Sequence, residues 1–205
     1  MGRRLSGLPD LSGPVLEVAP QLLGAVLTAG GVRVRLTEVE AYAGPDDPGS
    51  HAYRGRTPRT RVMFGPAGHA YVYFSYGMHW CLNVVAGPVG EAAAVLLRAG
   101  AVLDGLPAAR ERRPSASDRD LCRGPARLCR ALGLTGAHDG ADLLDPAGPV
   151  RLSPGAPAGG PVHSGPRVGL SRAAERPWRF WLGGEPTVSA YRPAARPRRR
   201  AASPP

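Results

Sequence analysis

Val32, Val34 and Leu36 alternate with Arg33 and Arg35, and the run continues through Thr37-Glu38-Val39-Glu40-Ala41-Tyr42. An apolar residue at every second position is the pattern of a strand with one buried face. Continued at the same period, the pattern carries Glu38 and Glu40 onto the face of Val32, Val34 and Leu36. Carboxylates are almost never buried without a partner. The strand therefore has to meet cations from elsewhere in the chain, or hold an acid where chemistry is done. Glu38 is expected to pair with arginines. Glu40, two residues before Tyr42, is the expected acid/base group.

The stretch from Thr37 to Arg98 holds most of the remaining chemistry. Tyr71, Tyr73 and Ser75 fall on one face of a strand, and Val72, Phe74 and Tyr76 on the other. Tyr76-Gly77 marks a hairpin tip, with Met78–Val85 returning. Tyrosine in a strand is ordinarily core filler; beside a carboxylate it suggests a stacking pocket. Gly44–Gly49 forms a turn-rich loop that ends at His51. Arg54, Arg56, Arg59 and Arg61 then crowd a loop through Thr57-Pro58. Such a run is usually a solvated face, but next to a pocket it is placed for phosphate contact. Ala92–Leu97 reads as a buried strand ending in Arg98.

The rest of the chain reads as scaffold. Residues 1–13 form a loose arm, 14–191 one domain, and 192–205 a basic tail rich in Arg, Pro and Ala. Val15 to Leu23 has a helical period with Pro20 interrupting it, and a strand near Ala25–Thr28 leads to a turn at Ala29-Gly30-Gly31. Asp118 or Asp120 is expected to cap a helix running to Leu132, stopped by Gly133. Val168-Gly169-Leu170 and Trp178–Leu182 are expected as late strands. The fold class is α+β, a mixed domain on a curved, mainly antiparallel sheet with flanking helices and a β-hairpin.

The formal charge of +10 points to an anionic partner. All 26 basic residues are arginine, the residue suited to bidentate phosphate contacts. GC-biased codons account for the choice of arginine over lysine but not for the excess of positive charge. Cys81, Cys122 and Cys129 have no Cys-x-x-Cys spacing, which argues against a zinc site or a disulfide framework and fits a reducing cytoplasm. Neither a signal peptide nor a membrane-spanning run is read in the sequence. No cofactor is expected.

One block resembles a known family. His51-x-x-x-Gly55-x-Thr57-Pro58-Arg59, Met63-Phe64-Gly65 and Tyr71-Val72-Tyr73-x-x-Tyr76-Gly77-Met78-His79-x-Cys81-x-Asn83 are similar to the alkyladenine (3-methyladenine) DNA glycosylases. Thr37–Tyr42, Leu96-Leu97-Arg98, Gly124–Cys129 and Arg167–Leu170 match as well, so the resemblance covers roughly residues 15–190. At Thr60 the chain departs from the family, which usually carries asparagine after Thr-Pro-Arg. The resemblance implies a monofunctional enzyme that binds duplex DNA as a monomer, flips a damaged purine and hydrolyses its glycosidic bond. It assigns Glu40 as general base, with Arg98 holding Glu40 or the water. Tyr42 on one side and His51 with Tyr73 on the other would stack the base. Asn83 would lie on the purine edge with Met78 nearby. Tyr76 would insert into the duplex, and Arg54, Arg56, Arg59, Arg61 and Arg127 would contact the DNA backbone.

A damage-binding protein without turnover is the competing reading, but a pure binder has no use for a carboxylate at position 40. A generic nucleic-acid-binding domain accounts for the charge and the tyrosines, not for Glu40, His51 and Asn83 together. The five histidines lack ligand spacing with any Cys or Asp cluster, which leaves a metalloenzyme as the weakest reading.

Overall fold

The computed structural model describes residues 6–75, 77–156 and 159–194. Its frame is an antiparallel sheet. Strand β1 (Val26–Ala29) turns through Gly30-Gly31 into β2 (Val32–Tyr42), with Ala29 opposite Val32. Both glycines have positive φ, +54° and +75°, as a two-residue turn matched to the twist of its strands requires. Strands β3 (Ala70–Ser75) and β4 (His79–Val85) form a second hairpin, and β5 (Ala94–Asp104) joins it to β2. With β6 (Val150–Ser153) at the edge, the order is β3-β4-β5-β2-β1-β6. Strand β7 (Val162–Gly165) pairs with β8 (Arg179–Leu182), and β8 lies along Glu38–Glu40 of β2. The sheet curls into a half-barrel in a mixed α/β fold.

Helices α1 (Val15–Gln21), α2 (Leu106–Arg112) and α3 (Pro125–Leu132) complete the fold. Pro20 falls in the last turn of α1 and does not break it, because little helix follows for its missing N–H to interrupt. The expectation that Asp118 or Asp120 caps the third helix is wrong. Asp118–Asp120 is a separate 3-10 turn, and the helix begins after Gly124 with Pro125, whose fixed φ suits a first helical position. Gly133 ends α3 as expected. Its buried side chains, Leu128, Cys129, Ala131 and Leu132, pack on β4 and β5. The arm is tied in at Leu11, which is 5 % exposed in the main core. Val168-Gly169 is a turn, not a strand. Tail residues 195–205 lie outside the described residues.

The site depends on one irregularity. Val32, Val34 and Leu36 face the core, but so do Val39 and Ala41. The inward parity therefore switches from even to odd within β2. The cause is a bulge: Leu36 pairs with Gly100, Glu38 with Ala99 and Val39 with Leu97, so the register shifts twice. The expectation that Glu38 and Glu40 share the core face fails here. Unbroken alternation would bury two carboxylates in an apolar layer without donors. The bulge turns both to the opposite side. Gly100 permits the close strand approach, since a Cβ there would lie 2.3 Å from Val34 Cγ1 and 2.5 Å from the Arg35 carbonyl.

Candidate active site

Beyond the bulge, the outward face of β2 carries Glu38, Glu40 and Tyr42. On β5, Val95 and Leu97 face the core, so Leu96 and Arg98 face the same way as the carboxylates. On the β3–β4 hairpin, Ala70, Val72, Leu82 and Val84 are core residues, leaving Tyr71, Tyr73, Cys81 and Asn83 on the other side. Period-two alternation in neighbouring strands thus collects acid, cation and aromatics on one surface. Tyr42, Arg98 and the aromatics line a cavity of about 660 Å³, while Glu38 and Glu40 are fully buried beside these lining residues.

Arg98 is the hub. Its Nε donates to Glu38 Oε1 at 2.8 Å, and its Nη1 lies 3.2 Å from Glu40 Oε1. Burial by itself would lower the Arg98 pKa, but Glu40 and then Glu38 outweigh it and raise it, so Arg98 remains a cation. Glu38 also accepts from Arg179 Nε at 2.7 Å, Ser189 N at 2.6 Å and Ser189 Oγ at 2.9 Å. Burial would raise the Glu38 pKa, yet Arg98 and Arg179 together bring it below its usual value. The pairing of Glu38 with arginines matches the expectation for it.

Glu40 is held differently. Its Oε1 accepts from the Val168 N–H at 2.7 Å, and its Oε2 from the Tyr42 hydroxyl at 2.8 Å. Among the described residues, only Arg98 forms an ion pair with it. Burial, reinforced by Glu40, raises the Tyr42 pKa well above the phenol value, so Tyr42 remains a neutral donor.

The aromatic walls are also fixed. His51 sits edge-on to Tyr73, with ring centroids 4.5 Å apart, and its Nδ1 is 3.0 Å from the Tyr71 hydroxyl. His51 keeps an exposed surface, but partial desolvation of its ring, and then the nearby Arg59 cation, depress its pKa to about 4, so the ring is neutral at pH 7. Tyr73 is held neutral by burial and by Cys81. Asn83 is 4 % exposed, lines the cavity, and donates from Nδ2 to the Tyr71 carbonyl at 3.0 Å. Thr60 serves the loop itself: its Oγ1 accepts from the Thr57 N–H at 2.9 Å and donates to the Gly55 carbonyl at 3.3 Å.

The structure thus brings together Glu40, Tyr42, His51, Tyr73, Asn83 and Arg98. Met78 is not part of this group. It is 65 % exposed and borders a separate hollow near Trp80 and Cys129, because the hairpin turn points its side chain off the pocket face. Arg59 reaches the cavity, its Cζ 5.4 Å from the Tyr73 ring centre. Arg54, Arg56, Arg61 and Arg127 are exposed on the surface. Tyr76 lies outside the described residues, between Ser75 and Gly77, which line the cavity. Among the described residues no group of His, Cys, Asp or Glu is placed to hold a metal.

Sequence reasoning missed the buried pair behind Tyr42. Arg167 Nη1 and Nη2 lie 2.5 and 2.7 Å from the two carboxylate oxygens of Asp47, and Arg167 Nη1 also donates to the Ala41 carbonyl at 2.9 Å. The guanidinium lies 4.6 Å from the Tyr42 ring centre. The two residues are 120 positions apart, and neither sits in a periodic segment. The match of Arg167–Leu170 to the family was the one signal available.

Comparison with known proteins follows the same lines. Residues 10–186 match the family model described as methylpurine-DNA glycosylase. The chain is 56 % identical to a protein of Frankia casuarinae over 96 % of its own length and 98 % of that protein's. It is 56 % identical to one of Streptomyces avermitilis, with 91 % of each chain covered. It is 52 % identical to one of Mycobacterium tuberculosis, over 92 % of this chain and 95 % of that one. All three are provisionally named 3-methyladenine DNA glycosylase.

Glu38 gives a stability prediction. Because its folded pKa lies below the ordinary glutamate value of 4.5, folding is favoured above that value, and the contribution is lost as pH falls through the folded pKa. Glu38→Gln leaves Arg98 and Arg179 short of a buried counter-charge and should cost ~3–5 kcal/mol at pH 7. Its stability should also fall less steeply than the wild type's as the pH drops below 4.5. Urea unfolding at neutral and acid pH checks both; matching curves would make Glu38 energetically idle.

Proposed function

The chain belongs to the methylpurine-DNA glycosylase family of base-excision repair, and from that premise we propose that it is a monofunctional hydrolase of damaged purines in duplex DNA. The observation that carries this reading is Glu40. A fully buried carboxylate is bonded to two residues that line the cavity, the Tyr42 hydroxyl and the Arg98 guanidinium, and Tyr73 and His51 line the same cavity.

A base inside a duplex is out of reach and must be extruded at a cost of a few kcal/mol, least for a damaged pair. Stacking against aromatic faces returns ~1–3 kcal/mol per base. Tyr42 and the His51–Tyr73 pair are the stacking walls of this reading. Alkylation at N3 or N7 leaves the purine cationic, which adds an electrostatic term over neutral tyrosine rings. The same charge weakens the glycosidic bond, so one general base suffices. Glu40 takes that role, and Arg98 positions it. Among the described residues Glu40 Oε2 accepts only the Tyr42 hydroxyl, which leaves it a lone pair for a proton from water.

Ser75 and Gly77, the neighbours of Tyr76 in the chain, line this cavity, and Tyr76 is the residue assigned to fill the vacated stack. Arg54, Arg56, Arg59, Arg61 and Arg127 supply phosphate contacts. A monomer suffices for this chemistry.

Glu40→Gln keeps the shape and removes the proton acceptor. It should bind a duplex with one defined lesion as the wild type does, while base release falls by ~10²–10⁴. Normal release, read by chromatography of the freed base, would move the general base elsewhere. Because the chain has no lysine to form a Schiff base, borohydride added to the wild-type reaction should trap no protein–DNA adduct. A trapped adduct would end the monofunctional reading.

Asn83 is assigned the purine edge. Guanine differs there from adenine by its exocyclic amino group. An amide anchored on the Tyr71 carbonyl cannot move aside for it. Asn83→Ala should leave hypoxanthine release near its original rate and raise release of guanine from a mismatch. A parallel fall in both would make Asn83 a structural residue only.

A further inference from the structure

Arg167 is fully buried, and it supports the site from behind. Besides Asp47 and the Ala41 carbonyl, its guanidinium meets Tyr42 on one side and Trp178, whose ring centre is 5.1 Å away, on the other. Its Nε has no partner. Arg167 does not line the cavity, whereas Tyr42 does, so the cation covers the face of Tyr42 turned away from the cavity.

We propose that Asp47 sets the charge tolerance of this pocket: by cancelling Arg167, it lets the front of the Tyr42 ring accept a cationic purine as readily as a neutral one. This rests on the glycosylase reading above and adds a specificity-determining residue to it. An aromatic ring attracts a cation through the negative charge of its faces. A bare guanidinium on one face would oppose a second cation stacked on the other. The ring-to-guanidinium distance is 4.6 Å. Adding a stacking distance of ~3.5 Å puts the two charges ~8 Å apart. At an effective dielectric of ~20 that repulsion weakens cation binding roughly thirtyfold. Solvent cannot screen it, since both Arg167 and Asp47 have no exposed side-chain surface.

The other cations at the cavity are compensated in other ways. Arg98 faces two carboxylates. Arg59 is exposed, so water and bound phosphates screen it. Arg167 has Asp47 as its carboxylate partner. The bidentate geometry turns the pair into a short dipole, and a neutral planar support remains behind Tyr42.

The experiment compares wild type, Asp47→Asn, Arg167→Met and the double variant. The readout is single-turnover release of 3-methyladenine, cationic as a nucleotide in DNA, against release of hypoxanthine, which is neutral. Asp47→Asn should lower the 3-methyladenine-to-hypoxanthine ratio about tenfold or more. Arg167→Met should raise the ratio, because an uncompensated carboxylate then lies behind the ring. The double variant, neutral again, should return it to the wild-type value even if both rates fall. A purely structural pair would lower both rates together and leave the ratio unmoved in every variant, which overturns the proposal. If Asp47→Asn does not fold, Arg167→Met and the double variant decide by the same criterion.

Competition on the wild type needs no variant. Free 7,9-dimethyladeninium should inhibit at least as well as neutral 9-methyladenine, and weaker inhibition by the cation overturns the proposal. A wild type that releases neither base removes the glycosylase reading and this proposal with it. Release of both with an unmoved ratio removes the proposal alone.

Discussion

The arrangement around Arg98 is a buried charge network whose members are stable only together. Glu38, Glu40, Arg98 and Arg179 are all at or below 6 % exposure, and an isolated ion in such surroundings would neutralise itself. Two carboxylates and two guanidinium groups balance. The Ser189 N–H and hydroxyl complete the hydrogen bonds of Glu38, and Val168 N–H and Tyr42 those of Glu40. Attraction inside a protein exceeds desolvation only when the geometry is good and the remaining lone pairs are served. That condition explains why β2 needs its bulge, and why an irregular segment near Ser189 is held tightly against the sheet.

Within this network the two glutamates differ in what they are free to do. Glu38 takes two arginines and two Ser189 donors, and its proton affinity is depressed. It is spent on holding Arg98 and Arg179. Glu40 shares one arginine and accepts two uncharged donors. Pairing Arg98 with Glu38 keeps part of the guanidinium's attraction away from Glu40. Arg98 is thereby shared between two carboxylates, and neither has the guanidinium to itself.

Much of this was legible in the sequence because strands write their faces into the chain. The Val32–Leu36 alternation, the Gly30-Gly31 turn and the tyrosine-rich hairpin all fold as their periods predict. The oddity of paired acids in a strand drew attention to Glu38 and Glu40, and Glu38 meets its arginines as expected. The face was wrong because a bulge has no one-residue signature: the close approach beside it is permitted by Gly100, in a different strand. The third helix was misplaced because a capping aspartate and Pro125 compete as start signals, and here proline prevails. Met78 was misplaced because a family motif gives order along the chain, not the direction of a side chain on a hairpin turn. Asp47–Arg167 left no trace in local pattern because its energy comes from a contact across 120 positions.

That long separation has a consequence for how the site forms. Glu40 and Tyr42 arrive on β2, Arg98 on β5, and their locks come from the C-terminal third: Arg167, Val168, Arg179 and Ser189. Local structure alone supplies none of these locks. Until the last segments dock, Glu38 and Glu40 would repel each other on adjacent outward positions of a strand, and Arg98 could satisfy only part of that charge. Contacts of such sequence separation form after loop closure has been met elsewhere. The half-barrel can therefore assemble from its hairpins first, while the acid, the aromatic wall and the guanidinium behind it reach working geometry in one late step. Because the same bonds that complete the fold also hold Glu40, a chain without residues 167–189 would lose β8 and these donors together, while Glu40, Tyr42 and Arg98 stayed on their own strands without them.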